Sequence, residues 1–174
     1  MDKLDKWTVF AVTAMAIYAT ALLFAAGNNS QAQQGAEQNP PPHQYVINPE
    51  LDSKIQAATN MLAQDNLEKT EVLVNSLLSE FPYEGKLYML KGDILMHRQQ
   101  PIAAMYQYKE AVDLNPDFID KKTKLFQGKK IKVSVEEAMA VIETGLQQNP
   151  DDSQLKNDQK ILYYMKRKLA GSCG

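Results

Sequence analysis

Residues Glu84–Pro116, EGKLYMLKGDILMHRQQPIAAMYQYKEAVDLNP, read as two helices joined by a short turn. Apolar side chains recur at three- and four-residue spacing on both sides of Gln99-Gln100. No part of the stretch alternates apolar and polar residues as a strand would. Pro101 can open the second helix, because its missing N–H is one that a first helical turn leaves unpaired anyway.

Working outward, the pattern repeats. Pro82, Pro116 and Pro150 are spaced by 34 residues, and the tetrapeptides ending in them are similar: SEFP, DLNP and QQNP. Helical periodicity predicts seven helices in all-α architecture: Leu51–Gln64, Leu67–Glu80, Glu84–Arg98, Pro101–Leu114, Asp117–Gln127, Ser134–Gln148 and Asp152–Leu169. One helix pair has too little apolar surface to close alone, so such pairs must stack and need an end cap. Asp152 or Ser153 can cap the last helix, and Lys166, Arg167 and Lys168 load its final turn against the helix dipole.

A 34-residue period holding two helices resembles the tetratricopeptide repeat (TPR) family. Repeat one (51–84) supplies Ala57, Ala58, Met61, Thr70, Val74, Leu77 and Pro82. Repeat two (85–118) supplies Tyr88, Gly92, Leu95, Ala104, Tyr108, Ala111 and Pro116. Repeat three (119–152) supplies Leu125, Ala138, Ile142, Gly145 and Pro150, with residues 152–169 as cap. Two positions depart from the family pattern: Lys91 stands where a leucine is usual and Phe126 where a small residue is usual. Gly128 before Lys129–Val133 should end the first helix of repeat three early, which makes that pair the irregular one.

The resemblance implies a groove that binds protein segments. Carried over residue by residue, it gives Ile55, Thr59 and Leu62 in repeat one, and Lys86, Met89, Asp93, Met96 and His97 in repeat two. Repeat three gives Lys130, and the cap helix adds Ile161, Tyr164 and Met165. The strip is apolar and methionine-bearing, suited to adaptable packing. Met89 and Met96 read equally as core filler. Ile55, Met89 and Thr123 occupy the family's clamp-lysine position, which disfavours recognition of an acidic chain terminus.

Trp7–Ala26, WTVFAVTAMAIYATALLFAA, is uncharged and would span about 30 Å as a helix, the thickness of a bilayer's hydrocarbon core. Lys3 and Lys6 flank its start, and no Lys or Arg follows until Lys54, so the N-terminus is expected in the cytoplasm. A cleaved signal peptide ending near Gly27 is the rival reading, and would release a secreted, soluble protein. Residues 27–50 are Gln/Asn/Pro-rich and read as a flexible linker.

The chain has 174 residues and a net charge of −2, which does not point to nucleic acid. Residues 51–116 hold 6 Lys+Arg and 9 Asp+Glu, whereas 117–174 hold 11 and 8. The basic cluster comprises Lys121, Lys122, Lys124, Lys129, Lys130 and Lys132. A lone cysteine, Cys173, excludes an internal disulfide, and two distant histidines do not suggest a metal centre. There is no CxxCH, HExxH, phosphate-cradling glycine loop or GxSxG. No enzyme and no cofactor are expected. The layout is similar to anchored bacterial TPR proteins. It implies a scaffold at the inner membrane, its domain in the periplasm, holding a partner as an assembly factor or accessory subunit.

Overall fold

Asn48 caps the first described helix: its side chain accepts a hydrogen bond from the Leu51 N–H at 3.2 Å, and Pro49 occupies the first helical turn. The computed structural model describes residues 48–171. The expected anchor at 7–26, the linker up to residue 47 and Cys173 lie outside the described residues. Among the described residues the secondary structure is all helical, and no helix is long and apolar enough to cross a membrane.

The helices are α1 (Pro49–Ala63), α2 (Leu67–Glu80), α3 (Gly85–His97), α4 (Pro101–Leu114), α5 (Gly128–Gln148) and α6 (Ser153–Gly171). They form three pairs, α1/α2, α3/α4 and α5/α6, each joined by a turn of three or four residues. Each pair packs against the next through α3 and α5.

The first two turns share one geometry. Asp65 and Gln99 both adopt a left-handed backbone, with φ of 60° and 59°. Around Asp65, the Asp65 N–H bonds to the Leu62 carbonyl at 2.9 Å and the Asn66 N–H to Met61 at 3.0 Å. Around Gln99, the Gln99 N–H bonds to Met96 and the Gln100 N–H to Leu95, both at 2.9 Å. This is the Schellman closure, which satisfies the last carbonyls of a helix. It recurs after 34 residues and is not repeated between α5 and α6.

Burial follows the helical period. α1 turns Leu51, Ile55, Ala58 and Leu62 inward, and α5 turns in Ile131, Val135, Ala138 and Ile142. At roughly 1.5–3 kcal/mol for each large side chain, such stripes are what hold the helices in place. Two clusters result. One joins α1, α2 and the Leu87, Leu90 and Ile94 side of α3; the other joins Met89 of α3 to α4, α5 and α6. Gly92 lets α3 and α4 meet closely, since a β-carbon there would lie 2.7 Å from Tyr108 Cδ1.

The third layer corrects the expected helix list. The helix expected at Asp117–Gln127 is absent. In its place Pro116–Phe118 forms one 3-10 turn, followed by turns up to Gln127. Polar side chains take the backbone groups a helix would have used. Asn115 Oδ1 accepts from the Asp117 N–H at 3.0 Å, Asp120 Oδ1 from the Lys122 N–H at 2.8 Å, and Thr123 Oγ1 donates to the Asp117 carbonyl at 2.7 Å. Phe118 and Ile119 at the start of this segment are both buried.

Gly128 begins a helix rather than ending one. It is buried against Phe126, whose Cζ would lie 2.9 Å from an added β-carbon. Lys129–Val133 is helical and Ser134 sits inside α5, fully buried. Thus α5 is the first member of the third pair, and α6 its second member rather than an appended cap.

Candidate functional site

The edges of α1, α3 and α5 are tied by two ion pairs of similar form. Lys86 of α3 reaches back to Asp52 of α1 at 2.8 Å, and Lys130 of α5 reaches back to Asp93 of α3 at 2.8 Å. In each case the lysine immediately precedes the first large buried side chain of the incoming helix, Leu87 or Ile131. Asp93 also accepts from the buried Tyr108 hydroxyl at 2.6 Å, so its carboxylate joins three helices. Burial, then the Asp93 charge and hydrogen bond, push the Tyr108 hydroxyl far above the ordinary tyrosine range.

The twelve expected groove residues separate into several environments. Ile55 and Leu62 are buried in the first cluster, and Met89 and Met165 in the second, so these four are core side chains rather than groove lining. Their helical spacing serves packing between pairs, which the same apolar residue types satisfy. Lys86, Asp93 and Lys130 are held in the ion pairs just described. Thr59 is exposed, its hydroxyl bonded to the Ile55 carbonyl at 2.9 Å. His97 is exposed, with Nδ1 3.8 Å from the Asp65 carboxylate. Met96, Ile161 and Tyr164 are half-buried against the second cluster. Ile161 and Tyr164 lie on α6, which packs on α4 and α5, so they do not share a strip with Thr59.

A second polar network escaped the sequence reading. Tyr106 of α4 donates to Asp158 of α6 at 2.7 Å, and Gln154 Nε2 donates to the same carboxylate oxygen at 3.0 Å. Further along, Tyr164 of α6 donates to Asp113 of α4. The two pairs cross-link the helices in opposite senses and require them to run parallel. Asp158 lies in register with Leu162 and Met165 on the buried stripe of α6. A carboxylate at such a position signals a buried donor, and that was the legible clue.

Asp113 is the hub of the second crossing. Lys109 approaches it at 3.0 Å and Lys168 at 3.4 Å, while both ammonium groups lie over the Tyr164 ring, 5.7 and 5.4 Å from its centroid. Partial burial pushes the Asp113 carboxyl upward, but hydrogen bonds from Tyr164 and Lys109 and the charges of Lys109 and Lys168 outweigh it. The net position is below the usual carboxylate range.

Two clefts flank the last turns of α6. A shallow one of about 620 Å³ lies between α6 and the 116–122 turns, where Lys122, Arg167 and Lys168 meet Ile119, Asp120 and Tyr164. A narrower one of about 290 Å³ lies between α5 and α6, lined by Lys132, Val135, Glu136, Met139, Lys166, Leu169 and Ala170. Among the described residues no group of three or more His, Cys, Asp or Glu side chains is arranged to hold a metal ion. The carboxylates characterised above are engaged by lysines and tyrosines that position helices. Comparison with protein-family models, curated proteins and solved structures matches the chain to none of them.

Proposed function

We propose that the chain is a membrane-tethered scaffold of the TPR type. Its helix-pair domain holds a partner protein on the periplasmic side of a bacterial inner membrane, as an assembly factor or accessory subunit of a membrane complex. The observation that carries the TPR reading is the recurrence of one turn geometry at Asp65 and Gln99. Two successive helix pairs built to a 34-residue period, with a glycine at the α3/α4 crossing, are what that repeat requires. The uncharged run at 7–26 supports the tether, and tethering raises a partner's local concentration without any chemistry.

The test places photo-crosslinking side chains at the exposed Thr59 and His97 positions of the full chain in its native membrane. A light-dependent adduct of defined mass is the expected result, and no adduct at either position counts against the scaffold. Labelling Cys173 with an impermeant reagent from outside intact cells checks the topology. Intact mass checks the tether, because cleavage near Gly27 would remove it.

A further inference from the structure

Each internal layer of the stack is closed by an incoming helix of the same design. The incoming helix α3 brings Leu87, Leu90 and Ile94, at spacing i, i+3 and i+7, to the first pair. Next, α5 brings Ile131, Val135 and Ala138, at spacing i, i+4 and i+7, to the second. Each also brings a lysine to a carboxylate on the receiving pair: Lys86 to Asp52 and Lys130 to Asp93. The third pair has the receiving slot: Val135 and Met139 of α5 face Leu169 and Ala170 of α6 across about 290 Å³. Its rim carries two lysines beside one carboxylate, Glu136. Lys132 stands on one side, 68% exposed and only 3.6 Å from Glu136. Lys166 stands on the other, its ammonium 3.3 Å from the Met139 sulfur, with no carboxylate paired to it among the described residues.

We infer that this slot docks an acidic amphipathic helix of a partner protein. The occupant places apolar side chains at i, i+4 and i+7 on Met139, Leu169 and Ala170, over the buried Val135, and its carboxylates meet Lys132 and Lys166. Methionine at the slot's centre tolerates a range of apolar side chains. A second copy of this chain fits poorly: α1, the first helix of the described stack, exposes Glu50, already paired to its own Lys54, with Ser53, Gln56, Thr59 and Asn60, while its large apolar residues Leu51, Ile55 and Leu62 are buried in its own pair. The inference rests on the scaffold reading and assigns it a surface and a partner chemistry.

The test titrates the detergent-solubilised full chain into a fluorescent helix-forming peptide with leucines at i, i+4 and i+7 flanked by glutamates. Saturable binding is expected to this peptide and not to a scramble of equal composition. The Lys132→Glu/Lys166→Glu double variant changes only exposed side chains. It should weaken binding about tenfold or more while keeping the wild-type melting temperature. A peptide with lysines in place of the glutamates should bind that double variant and not the wild type. Equal binding of the scramble, absence of binding, or no effect of the double variant overturns the inference. So does self-association of the chain that the double variant abolishes, which would identify a second copy as occupant. Loss of peptide binding alongside intact cross-linking at Thr59 and His97 overturns the slot alone and leaves the scaffold standing.

Discussion

The Tyr106 hydroxyl lies 2.7 Å from the Asp158 carboxylate, which is 3% exposed on the otherwise apolar stripe of α6. Removing the hydroxyl leaves that carboxylate with Gln154 as its remaining partner. Tyr106→Phe should therefore cost about 1–3 kcal/mol, the usual penalty for stranding a buried polar group. Urea denaturation measures it. A change within a few tenths of a kcal/mol would show that α4 and α6 are held by packing alone.

At alkaline pH the tyrosines should govern stability. Burial raises the Tyr106 and Tyr108 hydroxyls above their ordinary value, with help from Asp158 and Asp93 respectively. A group raised in the folded state contributes stability that is complete below the unfolded pKa, about 10 for tyrosine, and is lost as pH rises through the folded one. The denaturation midpoint should fall steeply above about pH 10. Tyr108→Phe lowers the midpoint at neutral pH but should flatten that slope, so the slope and not the level is the readout.

In acid the controlling group should be Asp113. Its carboxyl is depressed on folding, so its contribution is present above the unfolded pKa of about 3.9 and is lost as pH falls through the folded value. Asp113→Asn should lower stability at neutral pH and remove part of the loss seen between roughly pH 5 and 2. Parallel curves for the two proteins would mean that the Lys109, Tyr164 and Lys168 contacts carry no net free energy.

The left-handed turns give a prediction with a built-in comparison. A residue with a β-carbon pays roughly 1–2 kcal/mol for that conformation, and glycine does not. Gln99→Gly should stabilise by about 0.5–1 kcal/mol after glycine's greater unfolded-chain entropy is deducted. Asp65→Gly should gain less, because aspartate tolerates the left-handed region better than glutamine. Thermal melts of the two variants decide the order.

Ser134 offers a stabilising change of another kind. Its hydroxyl is fully buried in α5 and, among the described residues, has no hydrogen-bond partner. Ser134→Ala should raise stability by roughly 1 kcal/mol and improve helix propensity as well. A loss would reveal a bound water in the native protein.

The first two helix pairs were legible because pattern and packing coincide. Leu51, Ile55, Ala58 and Leu62, then Thr70, Val74 and Leu77, carry the helical period, and those side chains are the buried ones. The third pair was misread because Pro116 and Pro150 keep the 34-residue phase while changing roles. Pro116 ends a pair, whereas Pro150 lies in the turn inside one. Asn115, Asp120 and Thr123 were readable as residues that compete for backbone hydrogen bonds, but their effect was hidden by the expected repeat. Four of the expected groove residues are core for a related reason: Ile55, Leu62, Met89 and Met165 are apolar on amphipathic helices, and sequence alone does not distinguish a face turned to a neighbour from one turned to a ligand. The crossed tyrosine–aspartate pairs span 51 and 52 residues, beyond the reach of any local pattern.

Because α3 alone contributes buried residues to both apolar clusters, it is the party wall of the domain. It also carries Gly92 in its interior, costing about 1 kcal/mol of intrinsic helicity relative to alanine. Such a helix has little reason to form by itself and is held by the neighbours on its two sides. Hydrogen exchange should accordingly find α3 opening only when the whole domain opens, while α1 and the end of α6 fray independently. Cooperativity in this chain thus passes through its least self-sufficient segment, which couples the two halves into one melting unit.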